Sequence, residues 1–298
     1  MTVSSENAQT ADSAQGLAPK TPLWTRLRRA YRHRALAIGT VICLLLVLMV
    51  TAAPLLTAAD PNMQRAMMTF QPPSAEALMG TDAFGRDMLA RVLYGGRVTM
   101  LASLTVVVLG AFFGTIFGLV AGYVGGATGF VIMRFVDLLL AFPGILLALA
   151  ITAILGPGLI NGVIAISIIL IPVYARLVEG ATAEVRALPF VQAAVTLGAG
   201  PLRIMATHIL PNVLSPVIVM TTSWLGVAAL WITALGFIGL GVQPPQPEWG
   251  AILNDGQAYL TLAWWITVFP GLFLSLFVVG VNLIGDGLRD ELDPTLSK

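Results

Sequence analysis

Charge is what this chain has least of. Only 10% of its 298 residues are Asp, Glu, Lys or Arg, against about 25% in soluble domains. Hydrophobic residues make up 57% and the mean hydropathy is +0.88. A soluble globular domain is excluded and an integral membrane protein implied. Cysteine is nearly absent. Cys43 stands alone inside an apolar run, so no internal disulfide and no cysteine-based zinc site can form. Lysine is nearly absent too. Lys20 and Lys298 are the two, and neither follows a glycine, so the chain cannot build a G-x-x-x-x-G-K-[ST] phosphate loop. If ATP drives this protein, another chain hydrolyses it. The two histidines, His33 and His208, are isolated, and there is no H-E-x-x-H, no G-x-S-x-G and no cysteine nucleophile. We therefore expect no catalytic residue and no metal site. The net charge of +1 is uninformative about nucleic acid, but no basic run outside the N-terminus could bind it, so no nucleic-acid partner is expected.

What is present is a series of apolar runs. Residues 1–22 are Ser-, Ala-, Thr- and Gln-rich without apolar period and read as a disordered cytoplasmic tail. Arg26, Arg28, Arg29, Arg32 and Arg34 then precede an uncharged run from Ala35 to Ala59. This run is long enough to span a bilayer, which takes about 20 residues. A secretory signal cut near Thr57-Ala58-Ala59 is the competing reading, but the run exceeds a signal core. Further spans are expected over 98–123, 130–155, 159–175, 212–240 and 261–285. Gly110, Gly114, Gly118 and Gly122 recur every fourth residue, a spacing that lets helices approach closely. Six spans put both termini on one side, and the arginine cluster makes that side cytoplasmic. Residues 60–97, 156–158 and 241–260 then lie outside, and 124–129, 176–211 and the C-tail inside.

Within the spans, Arg134 and Asp137 lie three apart and share a helix face. Ionisable residues in a span point to function, while an interfacial pair with Arg134 snorkelling is the plainer reading. Pro143, Pro172, Pro216 and Pro270 interrupt four of the spans and favour kinks. Outside, Met88, Leu89, Val92 and Leu93 recur at helical spacing with Arg86, Asp87 and Arg91 on the other face. That pattern predicts an amphipathic helix at the outer interface, either a lid or docking surface or a simple lead-in to the second span. Residues 176–211 carry Arg176, Glu179, Glu184, Arg186, Arg203 and His208 and cannot face lipid. Helix formers over 179–197, a break near Pro189, freedom at Gly198 and Gly200, and prolines at 201 and 211 predict short helices reversed at Gly198. Pro211 is placed in the first turn of the fifth span.

Gln192-Ala193-Ala194, then Gly198, then Leu210-Pro211 resembles the EAA–G–LP coupling motif of ABC importer permeases, with its spacing kept. Gln192 stands where that family often has Glu, and His208 where it often has Ile; the amide removes a possible salt bridge. Gly80-Thr81-Asp82 with Gly85-Arg86-Asp87, and Asp137 with Ala141-Phe142-Pro143, resemble the dipeptide/oligopeptide/nickel branch. So do 235–241, Pro247-Glu248-Trp249-Gly250, and 286–290 with Asp293-Pro294. The likeness covers about residues 24–296, and the arginine-rich lead-in is similar to the second permease type of that branch.

The resemblance implies an all-α membrane protein with six transmembrane helices, the type I importer permease fold and a cytoplasmic coupling helix. It implies a tail over 1–22, a lead-in over 23–97, a five-span permease core over 98–290 and a C-tail over 291–298. The implied function is the permease of an ATP-driven importer of di- and oligopeptides in the bacterial inner membrane, not an enzyme. Nickel, glutathione or another small solute is the alternative cargo. Implied partners are a second, different permease, two ATPases that bind ATP and Mg, an extracytoplasmic solute-binding protein and membrane lipid. The implied coupling residues are Glu184, Gln192, Ala193, Ala194, Gly198, Leu210 and Pro211. The implied outer gate or docking residues are Asp82, Arg86, Asp87, Arg91, Glu248 and Trp249. A secondary transporter would need buried carboxylates in matched halves, and only Asp137 is offered; a membrane-embedded enzyme would need a catalytic constellation.

Overall fold

The computed structural model describes residues 34–292. The expected tail over 1–22, Lys20, Arg26, Arg28, Arg29, Arg32, His33, Asp293-Pro294 and Lys298 lie outside the described residues. Among those described, helix is the only extended regular structure, joined by irregular connections that hold one isolated bridge between Thr81 and Asp87. The elements are α1 (Arg34–Thr51), α2 (Ala53–Leu56), a 3-10 turn (Ala66–Met68), α3 (Met88–Val124), α4 (Gly126–Leu140) and α5 (Gly144–Leu155). They continue with α6 (Leu159–Arg186), α7 (Pro189–Thr196), α8 (Pro201–Ile204), a π turn (Met205–Ile209), α9 (Leu210–Phe237), α10 (Trp249–Gln257) and α11 (Trp265–Leu292).

Five helices are long and apolar enough to cross a membrane, and α4 with α5 makes a sixth crossing if the bent pair is one span. The bend is 90°. The Ala141 N–H still reaches Asp137 O, but Pro143 has no N–H, so the ladder stops and a new helix begins at Gly144. The expected third span is thus two helices. The second begins ten residues before the expected 98, because Asp87 accepts from Ala90 N and caps α3. Its 37 residues make a helix about 55 Å long, and residues 97 and 98 lie within it. The fourth runs on past Ala175 to Arg186.

Pro211 does sit in the first turn of α9, but this is no free start. The helix enters from Pro201 through the π turn, where the Leu210 N–H reaches back to Met205 O. A proline at 211 cannot bond Thr207 O, which explains the wider local register. The Asn212 amide donates to His208 O at 2.6 Å and steadies the opened turn.

The glycine stripe of α3 packs where its spacing predicts. Cβ atoms at Gly110, Gly114, Gly118 and Gly122 would fall 2.5–2.7 Å from Leu170, Tyr174, Ala175 and Glu179 of α6. The two helices therefore run parallel, four residues against four, with backbones in near contact. Helix α1 lies against α11, where a Cβ at Gly280 would meet Cys43 Sγ at 2.7 Å; Cys43 is a packing residue.

One apolar cluster joins α3, α6 and α9 around Val106, Ile166, Leu170, Tyr174 and Ile209. A second surrounds Trp249, whose ring meets Phe273 and Phe277 with centroids 6.4 Å away. The bundle has two ends. The cap end gathers residues 52–87, 156–158 and 238–264, tied by Arg86 to Asp255 and Gly158 N to Leu240 O. The elbow end holds Gly125 and residues 187–200.

Candidate functional site

At the cap end, Asp82 Oδ1 accepts from the backbone N–H groups of Phe84 and Arg86, and its Oδ2 from Arg86 Nε at 2.5 Å. Arg91 Nε stands 3.5 Å from the same oxygen. Asp255 Oδ2 from α10 faces both arginines, at 3.2 and 3.6 Å. Arg91 also donates to Pro61 O, and the Arg86 guanidinium lies over the Phe84 ring. Two arginines and two aspartates balance. Asp82, Arg86 and Arg91 are only 3%, 4% and 2% exposed. The expected polar face of an interfacial helix is therefore absent. Residues 80–87 are not helical, and the charges point inward because Asp255 supplies counter-charge from another element.

The second expected outer motif is equally buried. Glu248 caps α10 by accepting from Ala251 N at 3.0 Å, and accepts from Thr99 Oγ1 of α3 at 2.8 Å. Burial pushes its carboxyl above the usual range, while hydrogen bonds from Gly250, Thr99 and Ala251 pull the other way. Trp249 donates Nε1–H to Val92 O at 2.9 Å. Gly96 makes room, since a Cβ there would sit 2.7 Å from the Trp249 ring. Trp265 closes the cap by donating to Thr81 O. Asp82, Arg86, Arg91, Glu248 and Trp249 are thus gathered into one clamp with Asp87 as a cap beside it. As buried side chains they offer no surface on which a partner could dock.

Asp137 meets Arg134 Nη1 at 3.9 Å, as the spacing suggested, but its close partner is Arg176 of α6. Arg134 lies over the Phe130 ring. The ion pair bridges two helices, and its side chains are 40–68% exposed.

The elbow end is built differently. Helix α6 ends at Arg186, and the Gln192 Nε2 amide donates to Arg186 O at 2.8 Å. The side chain satisfies a terminal carbonyl, a role that needs a donor and that a glutamate carboxylate cannot fill. Pro189 opens α7 and Val191 pins it, fully buried beside Ile204 and Ile209. Ala194 is buried; Gln192 and Ala193 face out. At the far end Gly198 takes φ +79°, with Gly198 N bonded to Val195 O and Ala199 N to Ala194 O. This is a Schellman ending, which wants glycine. A Cβ at 198 would meet nothing within 4 Å, so backbone conformation alone selects the residue. Gly200 and Pro201 then start the next helix.

Around this reversal the surface is apolar. Leu188, Phe190, Val195, Leu197 and Leu202 are exposed, Leu197 at 87% and Leu202 at 79%. Glu184 and Pro211 are exposed on the flanking helices and Leu210 is half-buried. These exposed leucines project from a short connection flanked by Arg186 and Arg203. Sequence reasoning missed Thr99, Arg176, Asp255 and Trp265. Arg176 and Asp255 were visible as rare charges near apolar runs, but nothing local names their partners.

The family model for the binding-protein-dependent transport system inner membrane component matches residues 114–298, and that for the N-terminal TM domain of oligopeptide transport permease C matches residues 21–73. The chain is similar to a putative peptide transport system permease protein of Brucella abortus, 44% identical over 277 residues and 93% of each chain. It is similar to a di/tripeptide transport system permease protein of Pseudomonas aeruginosa, 44% identical over 90% of this chain and 91% of that one. A glutathione transport system permease protein of Escherichia coli is 41% identical over 93% and 91%.

Proposed function

The chain belongs to the family of binding-protein-dependent transport system inner membrane components, and from that premise we propose that it is the permease subunit of an ATP-driven importer of di- and oligopeptides. It forms half of a pathway completed by a second, different permease. Two ATPase subunits bind the elbow end, and a solute-binding protein delivers cargo at the cap end. Both termini are cytoplasmic. ATP is hydrolysed in those partner subunits, since this chain has no glycine followed by lysine from which to build a phosphate loop. The observation that carries this reading is the apolar rim around Gly198, with Leu197 87% exposed on a short connection flanked by Arg186 and Arg203.

Residues Glu184, Gln192, Ala193, Ala194, Gly198, Leu210 and Pro211 then form a lever. A force applied to α7 enters α6 through the Gln192–Arg186 bond and α9 through the Gly198 turn and α8. Helix α6 carries α3 with it, since their backbones are nearly in contact along the glycine stripe. The Asp137–Arg176 pair joins α6 to α4. The buried clamp at the other end ties the start of α3 to α10 and α11, so the cap end is the pivot about which these helices turn. ATP-driven closure of the ATPases brings the two elbows of the complex together and tips the spans outward; release of hydrolysis products returns them, a switch between two packed states.

The test is ATPase activity and peptide uptake in proteoliposomes holding the whole complex. Replacing Leu197 by Asp should abolish stimulation by loaded binding protein while the complex still assembles. Full stimulation overturns the reading, as does a chain that purifies alone and transports without ATP. The peptide names of two relatives support peptide as cargo, and the glutathione relative keeps a cysteine-containing tripeptide as the second reading. Mass spectrometry of the ligand held by the partner binding protein decides between them.

A further inference from the structure

A crevice of about 420 Å³ opens sideways on the cap half of the bundle, between α1, α3 and α11. Val47, Met100, Leu101, Leu104 and Phe277 line it, and Arg97 stands at its mouth. From Arg97 to Leu104 the wall runs about 10 Å along α3. Leu101 and Leu104 are exposed within it.

Arg97 differs from the other cap arginines. Its Nε donates to Val50 O at 2.5 Å and its Nη2 to Thr51 O at 2.8 Å, the last carbonyls of α1. Its face lies 4.8 Å from the Tyr94 ring centroid. These contacts hold the guanidinium in place at the end of a span, the level at which aromatic and basic side chains meet headgroups. They leave its charge unbalanced: among the described residues no carboxylate pairs with it, whereas Arg86 and Arg91 share Asp82 and Asp255. A fixed cation above an apolar slot fits an amphiphile with an anionic group at the head of a hydrocarbon chain.

We infer that this crevice holds one acyl chain of a membrane glycerophospholipid whose phosphodiester sits on Arg97. Bound there, the lipid fills the seam between α1 and the helices it packs on, and supplies the counter-charge that the protein lacks.

The test uses the assembled complex, extracted, delipidated and titrated with dioleoylphosphatidylglycerol or with dioleoylglycerol, which lacks the phosphate, while native mass spectrometry counts bound lipid. The wild type should retain one phosphatidylglycerol and bind it about tenfold more tightly than the diglyceride. Leu104→Trp, or Val47→Trp if the first fails to assemble, fills the slot and should remove that lipid. Arg97→Gln should bring phosphatidylglycerol down to the level of the diglyceride. Equal binding of the two lipids, or unchanged retention in the tryptophan variants, overturns the inference. So does cross-linking of Leu101→Cys to the second permease, which would make this face a protein interface.

Discussion

The two ends of this molecule use their polar residues in opposite ways. At the cap end every motif residue is consumed within the chain: Asp82, Arg86 and Arg91 neutralise one another with Asp255, and Glu248 caps a helix while holding Thr99. At the elbow end the hydrogen bonds only shape the backbone. Gln192 closes α6, Gly198 closes α7, and the side chains that remain, Phe190, Val195, Leu197 and Leu202, project into solvent. A region whose groups are satisfied internally supports itself. A region that leaves apolar side chains exposed has surface to spare, which the proposed ATPase contact would cover. Motif residues thus serve structure at both ends, and the elbow leaves large apolar side chains exposed beside them.

The largest effect that could break this contrast lies in the cap. Arg86→Ala strips Asp82 of its closest buried partner and should cost about 3–5 kcal/mol, read as a much lower melting temperature by tryptophan fluorescence. An unchanged melting curve would show that the cluster locks nothing. The elbow should respond in the reverse manner. Leu197→Asp should leave melting alone while weakening ATPase docking by about 2 kcal/mol, roughly thirtyfold in affinity. If it lowers the melting temperature instead, Leu197 serves the fold and the contrast fails.

Gly198→Leu comes next. An added Cβ meets no neighbour, so the cost expected is the left-handed backbone, about 1–2 kcal/mol. It should uncouple ATP hydrolysis from loaded binding protein, and Gly198→Asn, which tolerates that conformation, should recover much of the coupling. Equal behaviour of the two variants would point to bulk rather than φ. Gln192→Glu removes the donor to Arg186 O and should loosen the elbow by about 0.5–1.5 kcal/mol, seen as faster amide exchange over 187–192. Unaltered exchange would leave Pro189 and buried Val191 to organise the elbow without the Gln192 bond.

The smallest effect is with pH. Burial raises the Glu248 carboxyl, so its protonated form is favoured in the folded cap. That contribution is present below the ordinary glutamate pKa of about 4.3 and is lost as pH rises through the raised value. Melting temperature should therefore decline over that window in the wild type and less in Glu248→Gln. Identical slopes would mean that the hydrogen bonds from Thr99 and Ala251 fully offset desolvation.

The elbow was legible in the sequence because its geometry is local. Pro189, Gly198 and Pro201 fix φ or supply it within a few residues, and the structure has breaks at those places. The glycine stripe was legible for the same reason, since a four-residue period on one helix needs no knowledge of its neighbour. Arg86 and Arg91 were misread as part of a polar face because the deciding residue, Asp255, lies 169 positions from Arg86. Asp137 was matched with Arg134 at helical spacing, while Arg176, 39 positions on, is its close partner. Pro143 was visible as an interruption, but not that the helices on either side would stand at 90°.

Composition alone determined that the chain is a membrane protein, because a bilayer selects apolar runs of spanning length whatever their packing. Backbone chemistry alone determined where its inner connection reverses. Which charges pair, which motif residues are buried and which leucines are left exposed were decided only by tertiary structure. Coulomb attraction and burial act between residues adjacent in space, and the chain brings those together from distant parts of its length.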